Sequence, residues 1–67
     1  MNLKKLDYFV TLVDAGNFSH AAEQLYITQP ALSWNIKDLE SSLKTELLVR
    51  SASGIELTET GSILYDG

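Results

Sequence analysis

Apolar residues near the start of the chain fall at helical intervals. Leu3, Leu6, Phe9, Val10 and Val13 recur every three or four positions, one stripe of an amphipathic helix. The spacing predicts a first helix over about residues 3–15, capped by Asn2 and closed by Gly16, which suits a left-handed helix end. After a short loop, Ser19 precedes HAAEQL, a short helix with Ala21, Ala22 and Leu25 facing inward. Its small alanines let a neighbouring helix approach closely. Thr28 then offers an N-cap, and Pro30 falls inside a first turn, where its missing N–H leaves no helical bond unmade. From there Leu32, Ile36, Leu39 and Leu43 step by four, three and four, predicting a longer third helix over about 29–43.

Beyond residue 43 the period drops from 3.6 to 2. Leu47-Leu48-Val49-Arg50 is β-rich, and Ile55-Glu56-Leu57-Thr58 alternates apolar and polar. Ser51-Ala52-Ser53-Gly54 between them has turn composition, with Gly54 free to take positive φ. A small hairpin over about 47–58 follows. Thr58-Glu59-Thr60 starts another helix, with a cap and an acid in its first turn. The sequence stops at Gly67, about two turns in, too short a helix to stand alone in water, and so reads as cut there. There are no internal repeats or low-complexity tracts.

Composition narrows the class. A chain of 67 residues is one small domain, and a domain of that size buries only about 60% of the surface its unfolded form exposes. With 45% hydrophobic and 21% charged residues it is neither disordered nor membrane-spanning in composition. The opening MNLKKLDYFV is broken by Lys4, Lys5 and Asp7 and lacks a cleavage site, so it is no signal peptide, and the cytoplasm is the expected compartment. The absence of cysteine removes disulfides, thiolate metal sites and thiol nucleophiles, and the one histidine would need several carboxylate partners to hold zinc. No glycine-rich phosphate loop or nucleophile elbow is present, and His20 has no nucleophile or orienting partner. Neither catalysis nor a metal or cofactor is expected.

Three helices and a hairpin outline a mainly α fold, a winged helix-turn-helix, with the tight Tyr26-Ile27-Thr28 connection that the helix-turn-helix (about 18–37) requires. Gln29, Ser33, Trp34 and Lys37 project from the first half of the third helix, opposite its apolar stripe. Helix N-termini favour phosphate, and Gln and Ser suit base edges or backbone oxygens. An ordinary solvated helix face has the same pattern, so spacing alone leaves DNA binding and other uses of three-helix domains open. A net charge of −4, from nine acids and five bases, weighs against nucleic acid.

A resemblance adds what spacing leaves open. Asn17-Phe18-Ser19, Ala21-Ala22, Leu25, Gln29-Pro30-Ala31-Leu32-Ser33, Ile36, Leu39-Glu40, Leu43, Arg50 and Leu57-Thr58-x-x-Gly61 together resemble the N-terminal DNA-binding domain of LysR-type transcriptional regulators. The resemblance covers essentially the whole chain. It implies a bacterial transcription factor that binds double-stranded, pseudo-palindromic DNA as a homodimer or tetramer, within the bacterial nucleoid. A small-molecule effector would act only through a C-terminal domain absent from this sequence. Residues 1–58 would be the winged domain and 59–67 the start of a linker helix that dimerises. The third helix would enter the major groove, with Gln29, Pro30 and Ser33 near bases and Thr28 near phosphate. Arg50 would begin a wing whose tip, Ser51 to Gly54 with Ser53 in it, approaches the backbone or minor groove. His20 occupies a position that usually contacts phosphate. Tyr8 and Leu12, off the main stripe of the first helix, would meet the linker helix and its partner, as would Ile63 and Leu64.

Two departures stand out against that family. Trp34 replaces an arginine, exchanging a charged fork for one N–H and a large apolar face. It either packs on thymine methyls or sugars, covers adjoining apolar surface, or marks weakened DNA binding. Between residues 28 and 50 the three bases (Lys37, Lys44, Arg50) equal the three acids (Asp38, Glu40, Glu46), so the reading surface is near neutral. Only about two to four bases per subunit then face phosphate, which implies a salt slope smaller than that of strongly basic regulators. An alternative is a winged-helix protein-interaction module with weak or lost DNA binding, Trp34 being its anchor. The remaining expectations are structural: Phe9, Phe18 and Tyr26 in the core, Lys4 and Lys5 solvated, Asp38 and Glu40 free to pair with nearby lysines.

Overall fold

In the computed structural model, which describes residues 3–67, side-chain caps set where the second, third and fourth helices begin. Helix α1 (Leu3–Ala15) spans the predicted range, while its expected cap Asn2 lies outside the described residues. Helix α2 (Phe18–Leu25) starts one residue before Ser19 because Asn17 is its cap: Asn17 Oδ1 accepts the His20 backbone N–H at 2.8 Å. Helix α3 (Gln29–Leu43) is capped by Thr28, whose hydroxyl accepts the Ala31 N–H at 3.2 Å, with Pro30 in the first turn. Strands β1 (Leu48–Ser51) and β2 (Gly54–Leu57) pair antiparallel, Leu48 opposite Leu57 and Ser51 opposite Gly54. Helix α4 (Glu59–Asp66) follows, its cap Thr58 accepting the Gly61 N–H at 3.0 Å.

The C-terminal ends of the two helices of the helix-turn-helix share one geometry. Tyr26 and Lys44 both sit in the left-handed region, at φ 58° and 57°. At the first, the Ile27 N–H donates to the Ala22 carbonyl and the Tyr26 N–H to the Glu23 carbonyl. The Thr45 and Lys44 N–H groups repeat the pattern with Glu40 and Ser41, so each helix ends in a Schellman motif without its usual glycine. The left-handed backbone turns the Tyr26 side chain off the helix, leaving it 95% exposed. Tyr26 is therefore not a core residue, contrary to the expectation from its aromaticity.

The core forms where α1 crosses α2 and α3 and where the chain enters β1. Phe9, Leu12, Leu32, Ile36, Leu39 and Leu47 are fully buried, and Phe18, Ala21, Ala22 and Leu48 complete the cluster. Leu12 corrects the sequence reading, which placed it on a dimer face. Of the predicted stripe Phe9 is fully buried and Leu6, Val10 and Val13 are partly buried, but the inward line is rotated toward Lys5 and Leu12, and Leu3 is 74% exposed. The rotation has a second consequence: Lys5, expected to be solvated, forms an ion pair with Asp38 of α3. Tyr8 and Leu64 are half-buried against this chain's own core, whereas Ile63 is 68% exposed.

Glu40 joins helix to wing. Its carboxylate accepts the Leu47 N–H at 2.8 Å and faces the Leu48 N–H at 3.4 Å, so it serves backbone donors rather than a lysine. The Leu47 carbonyl in turn accepts the Thr58 N–H, and the Thr58 hydroxyl donates to the Glu46 carbonyl at 2.6 Å. Gly54, at φ 132°, opens β2 where a Cβ would lie 2.7 Å from the Gly16 carbonyl oxygen, so the wing rests on the α1–α2 loop.

Candidate nucleic-acid interface

Burying Leu32, Ile36 and Leu39 turns the other side of α3 to solvent, and the wing then brackets it. Gln29, Pro30 and Lys37 are exposed and Ser33 is half-exposed. Gln29, Pro30 and Ser33 share one concavity with Arg50, which β1 brings in from the wing. The Arg50 guanidinium donates to Ser33 Oγ at 3.3 Å and lies 3.9 Å from the centroid of the Phe18 ring. Phe18 thus has two roles, apolar core and platform. Its ring face holds the guanidinium by cation–π attraction, worth about 0.5–1 kcal/mol at an exposed site.

The helix-turn-helix contributes further polar groups at its ends. Thr28 is exposed at the α3 N-terminus; its oxygen is occupied by the Ala31 N–H, leaving the hydroxyl proton available to an acceptor. The start of α3 also presents backbone N–H groups and the positive end of the helix dipole. His20 is exposed in the first turn of α2, its Nδ1 3.4 Å from Asn17 Nδ2. Ser53 lies at the wing tip with its hydroxyl 3.3 Å from that of Ser51. Neither His20 nor Ser53 lines the concavity of Gln29, Pro30, Ser33 and Arg50.

Local pairing changes the charge arithmetic of this face. Asp38 is matched by Lys5, a cation from outside residues 28–50, whereas Glu40 keeps its charge while accepting backbone N–H groups. Lys37 and Arg50 lie on the exposed side, in a concavity that Glu40 and Glu46 also line. Trp34, 63% exposed, stands beside Ser33 on the flank toward α1, with the Lys5 ammonium 5.3 Å from its ring centroid. Lys5 is the residue that sequence reasoning missed here. Its place on the stripe of Phe9 and Leu12 was the available signal. No group of three metal-ligating side chains occurs among the described residues. Nor, among them, is any helix long and apolar enough to cross a membrane.

Comparison with known proteins agrees with this architecture. The nitrogen assimilation regulatory protein nac of Klebsiella aerogenes is 49% identical over 65 residues, covering 97% of this chain and 21% of that regulator. The chain thus spans about a fifth of the length of that relative. Among solved structures, the DNA-binding domain of CbnR in complex with DNA matches with a TM-score of 0.92 and 38% identity over 98% of this chain and 76% of that one. The BenM DNA-binding domain with benA site 1 DNA matches at 0.92 and 39%, over 98% and 77%. Residues 3–62 match the family of bacterial regulatory helix-turn-helix proteins of lysR type, and the chain belongs to that family.

Proposed function

We propose that this chain is a sequence-specific, double-stranded DNA-binding domain of a bacterial transcription regulator. The observation that carries the reading is the exposed Gln29–Pro30–Ser33 face of α3 with Arg50 delivered beside it by the wing. Relatives of the same fold have been solved on DNA, which supports the same use here. Helix α3 enters the major groove, which admits an α-helix and exposes distinct base edges. Gln29, Pro30, Ser33 and Trp34 meet bases; Thr28, Lys37, Arg50 and His20 meet phosphate. The wing, with Ser53 at its tip, lies along the backbone or minor groove. The role is binding, not catalysis: phosphate contacts set the register and a few α3 side chains discriminate.

Residues 1–58 form the reading domain and 59–67 the beginning of a linker helix. Two copies of the domain, paired through that helix with Ile63 on its exposed side, read half-sites of an inverted repeat. Tyr8 and Leu64 border the same face, while Leu12 supports it from the core. In the whole protein a separate domain takes a small-molecule effector, and the regulator works in the cytoplasm on the nucleoid.

Selection from a library of random duplexes at low salt, with two copies of the chain tethered, tests the reading. Enrichment of an inverted repeat with affinity falling steeply in salt is the expected result. A folded protein that enriches nothing would instead favour a protein-interaction module anchored on the exposed Trp34.

A further inference from the structure

Trp34, the one tryptophan of the chain, is in ring contact with Lys5. Lys5 reaches from the first turn of α1 to α3, where its ammonium pairs with the Asp38 carboxylate and stands 5.3 Å from the centroid of the Trp34 ring. Trp34 and Asp38 are four residues apart on α3, hence neighbours on one stripe, and Lys5 spans them. The Lys5 side chain is only 19% exposed against 38% for Asp38, so the ammonium is partly withdrawn from water, where attraction to an indole face strengthens. Trp34 itself stays 63% exposed. The indole thus meets Lys5 while keeping most of its apolar surface exposed.

Resting on the DNA-binding reading above, we propose that Lys5 is a positioning residue for base readout. It holds Trp34 as a fixed apolar plate that selects thymine, and, neutralised by Asp38, it is not among the phosphate-binding cations. The thymine C5-methyl is the apolar group on the major-groove edge, so a large apolar surface discriminates at that base. A side chain already held loses less rotamer freedom on docking than a free one. A lysine that keeps its carboxylate partner releases no counterion from DNA and adds nothing to the salt slope.

Because Trp34 is the only tryptophan, its fluorescence tests the positioning without DNA. Lys5→Gln is expected to raise acrylamide quenching and lower the anisotropy of Trp34, and Lys5→Arg to restore both. Unchanged quenching and anisotropy in Lys5→Gln would overturn the proposal. In duplex selection, Lys5→Gln is expected to lose thymine preference several-fold at one position while the slope of log K on log salt stays at its wild-type value. A slope reduced by about 1 with the selected motif intact would make Lys5 a phosphate contact and overturn the proposal. Thermal unfolding verifies that the variant is folded. Asp38→Asn provides a second arm: it releases the lysine charge, so the same thymine preference weakens while the slope steepens by about 1. A slope unchanged in Asp38→Asn would contradict the neutralisation. A wild-type motif without a thymine requirement would overturn the readout role. A wild type that selects no motif, yet gives the expected fluorescence response, would remove the DNA reading and the readout role with it, leaving only the side-chain contact.

Discussion

A Cβ placed on Gly61 would lie 1.8 Å from the carbonyl oxygen of Leu47. The first turn of α4 therefore packs backbone to backbone on the segment entering the wing, with no room for any side chain. That carbonyl cannot swing away, because it accepts the Thr58 N–H at 3.0 Å and belongs to a fully buried residue. Gly61→Ala is expected to destabilise the domain by about 1–3 kcal/mol, toward the upper end because the obstacle is backbone. Domains have only roughly 0.05–0.15 kcal/mol of stability per residue, so this is a large share. Denaturant unfolding monitored by circular dichroism measures it. An unchanged midpoint would mean that α4 lifts off its seat without loss.

The Glu40 carboxylate is the next element of the same joint. It accepts the Leu47 N–H at 2.8 Å, and nothing else on α3 replaces it when the side chain is truncated. Glu40→Ala is expected to cost about 1–3 kcal/mol through the unpaired backbone donor. Glu40→Gln retains an acceptor oxygen and is expected to lose less, since only the charge assistance is removed. Equal losses in the two variants would show that charge, not the hydrogen bond, ties helix to wing. Amide exchange at Leu47 and Leu48 is expected to accelerate in Glu40→Ala before the rest of the core responds.

The pattern of apolar spacing made the elements legible: α1 and α3 occupy the predicted ranges, and Thr28 and Thr58 cap as expected. Caps are local, so the sequence carries them. Which way a helix faces is not local. Leu3 shares the periodic stripe of Phe9 while Leu12 lies off it, and only the packing of α2, α3 and α4 around α1 buries Leu12 with Phe9 and leaves Leu3 exposed. Tyr26 misled for another reason, since an aromatic residue is ordinarily buried and only its left-handed backbone turns it outward. The α3 face was visible as polar residues opposite a stripe. The neutralisation of Asp38 by Lys5, 33 residues earlier, required the tertiary fold.

Arg50 and Ser33 touch, so their contributions to DNA binding are coupled. On the proposed reading, Ser33→Ala removes a base contact and an Arg50 partner together, whereas Gln29→Ala removes a base contact alone. Both are expected to weaken binding and relax selection at one base position, by about 1–3 kcal/mol of discrimination where the contact is bidentate. Arg50→Ala is expected to weaken binding across sequences and lower the salt slope by about 1. In a double-mutant cycle, Ser33 with Arg50 is expected to be non-additive and Gln29→Ala with a distant lysine additive. If Gln29→Ala and Ser33→Ala both keep wild-type affinity and motif, the reading face has been misplaced.

Tyr65 ties the end of α4 to the end of α1: its hydroxyl donates to the Asp14 carboxylate. That hydrogen bond, then the negative charge of Asp14, partial burial and the charge of Asp66 raise its pKa above the ordinary tyrosine value. The folded chain thus holds the phenolic proton more tightly than the unfolded chain. The resulting stabilisation is fully present below the ordinary tyrosine pKa, about 10, and is lost as pH rises through the higher folded value. Tyr65→Phe removes the group that titrates while keeping the ring. The wild type is therefore expected to be the more stable of the two at neutral pH, with the difference shrinking above about pH 10. Unfolding midpoints of both proteins across that range give the difference directly, and common titrations elsewhere cancel. A difference that stays constant through the alkaline range would show that Tyr65 holds α4 by packing alone, with the Asp14 hydrogen bond contributing nothing.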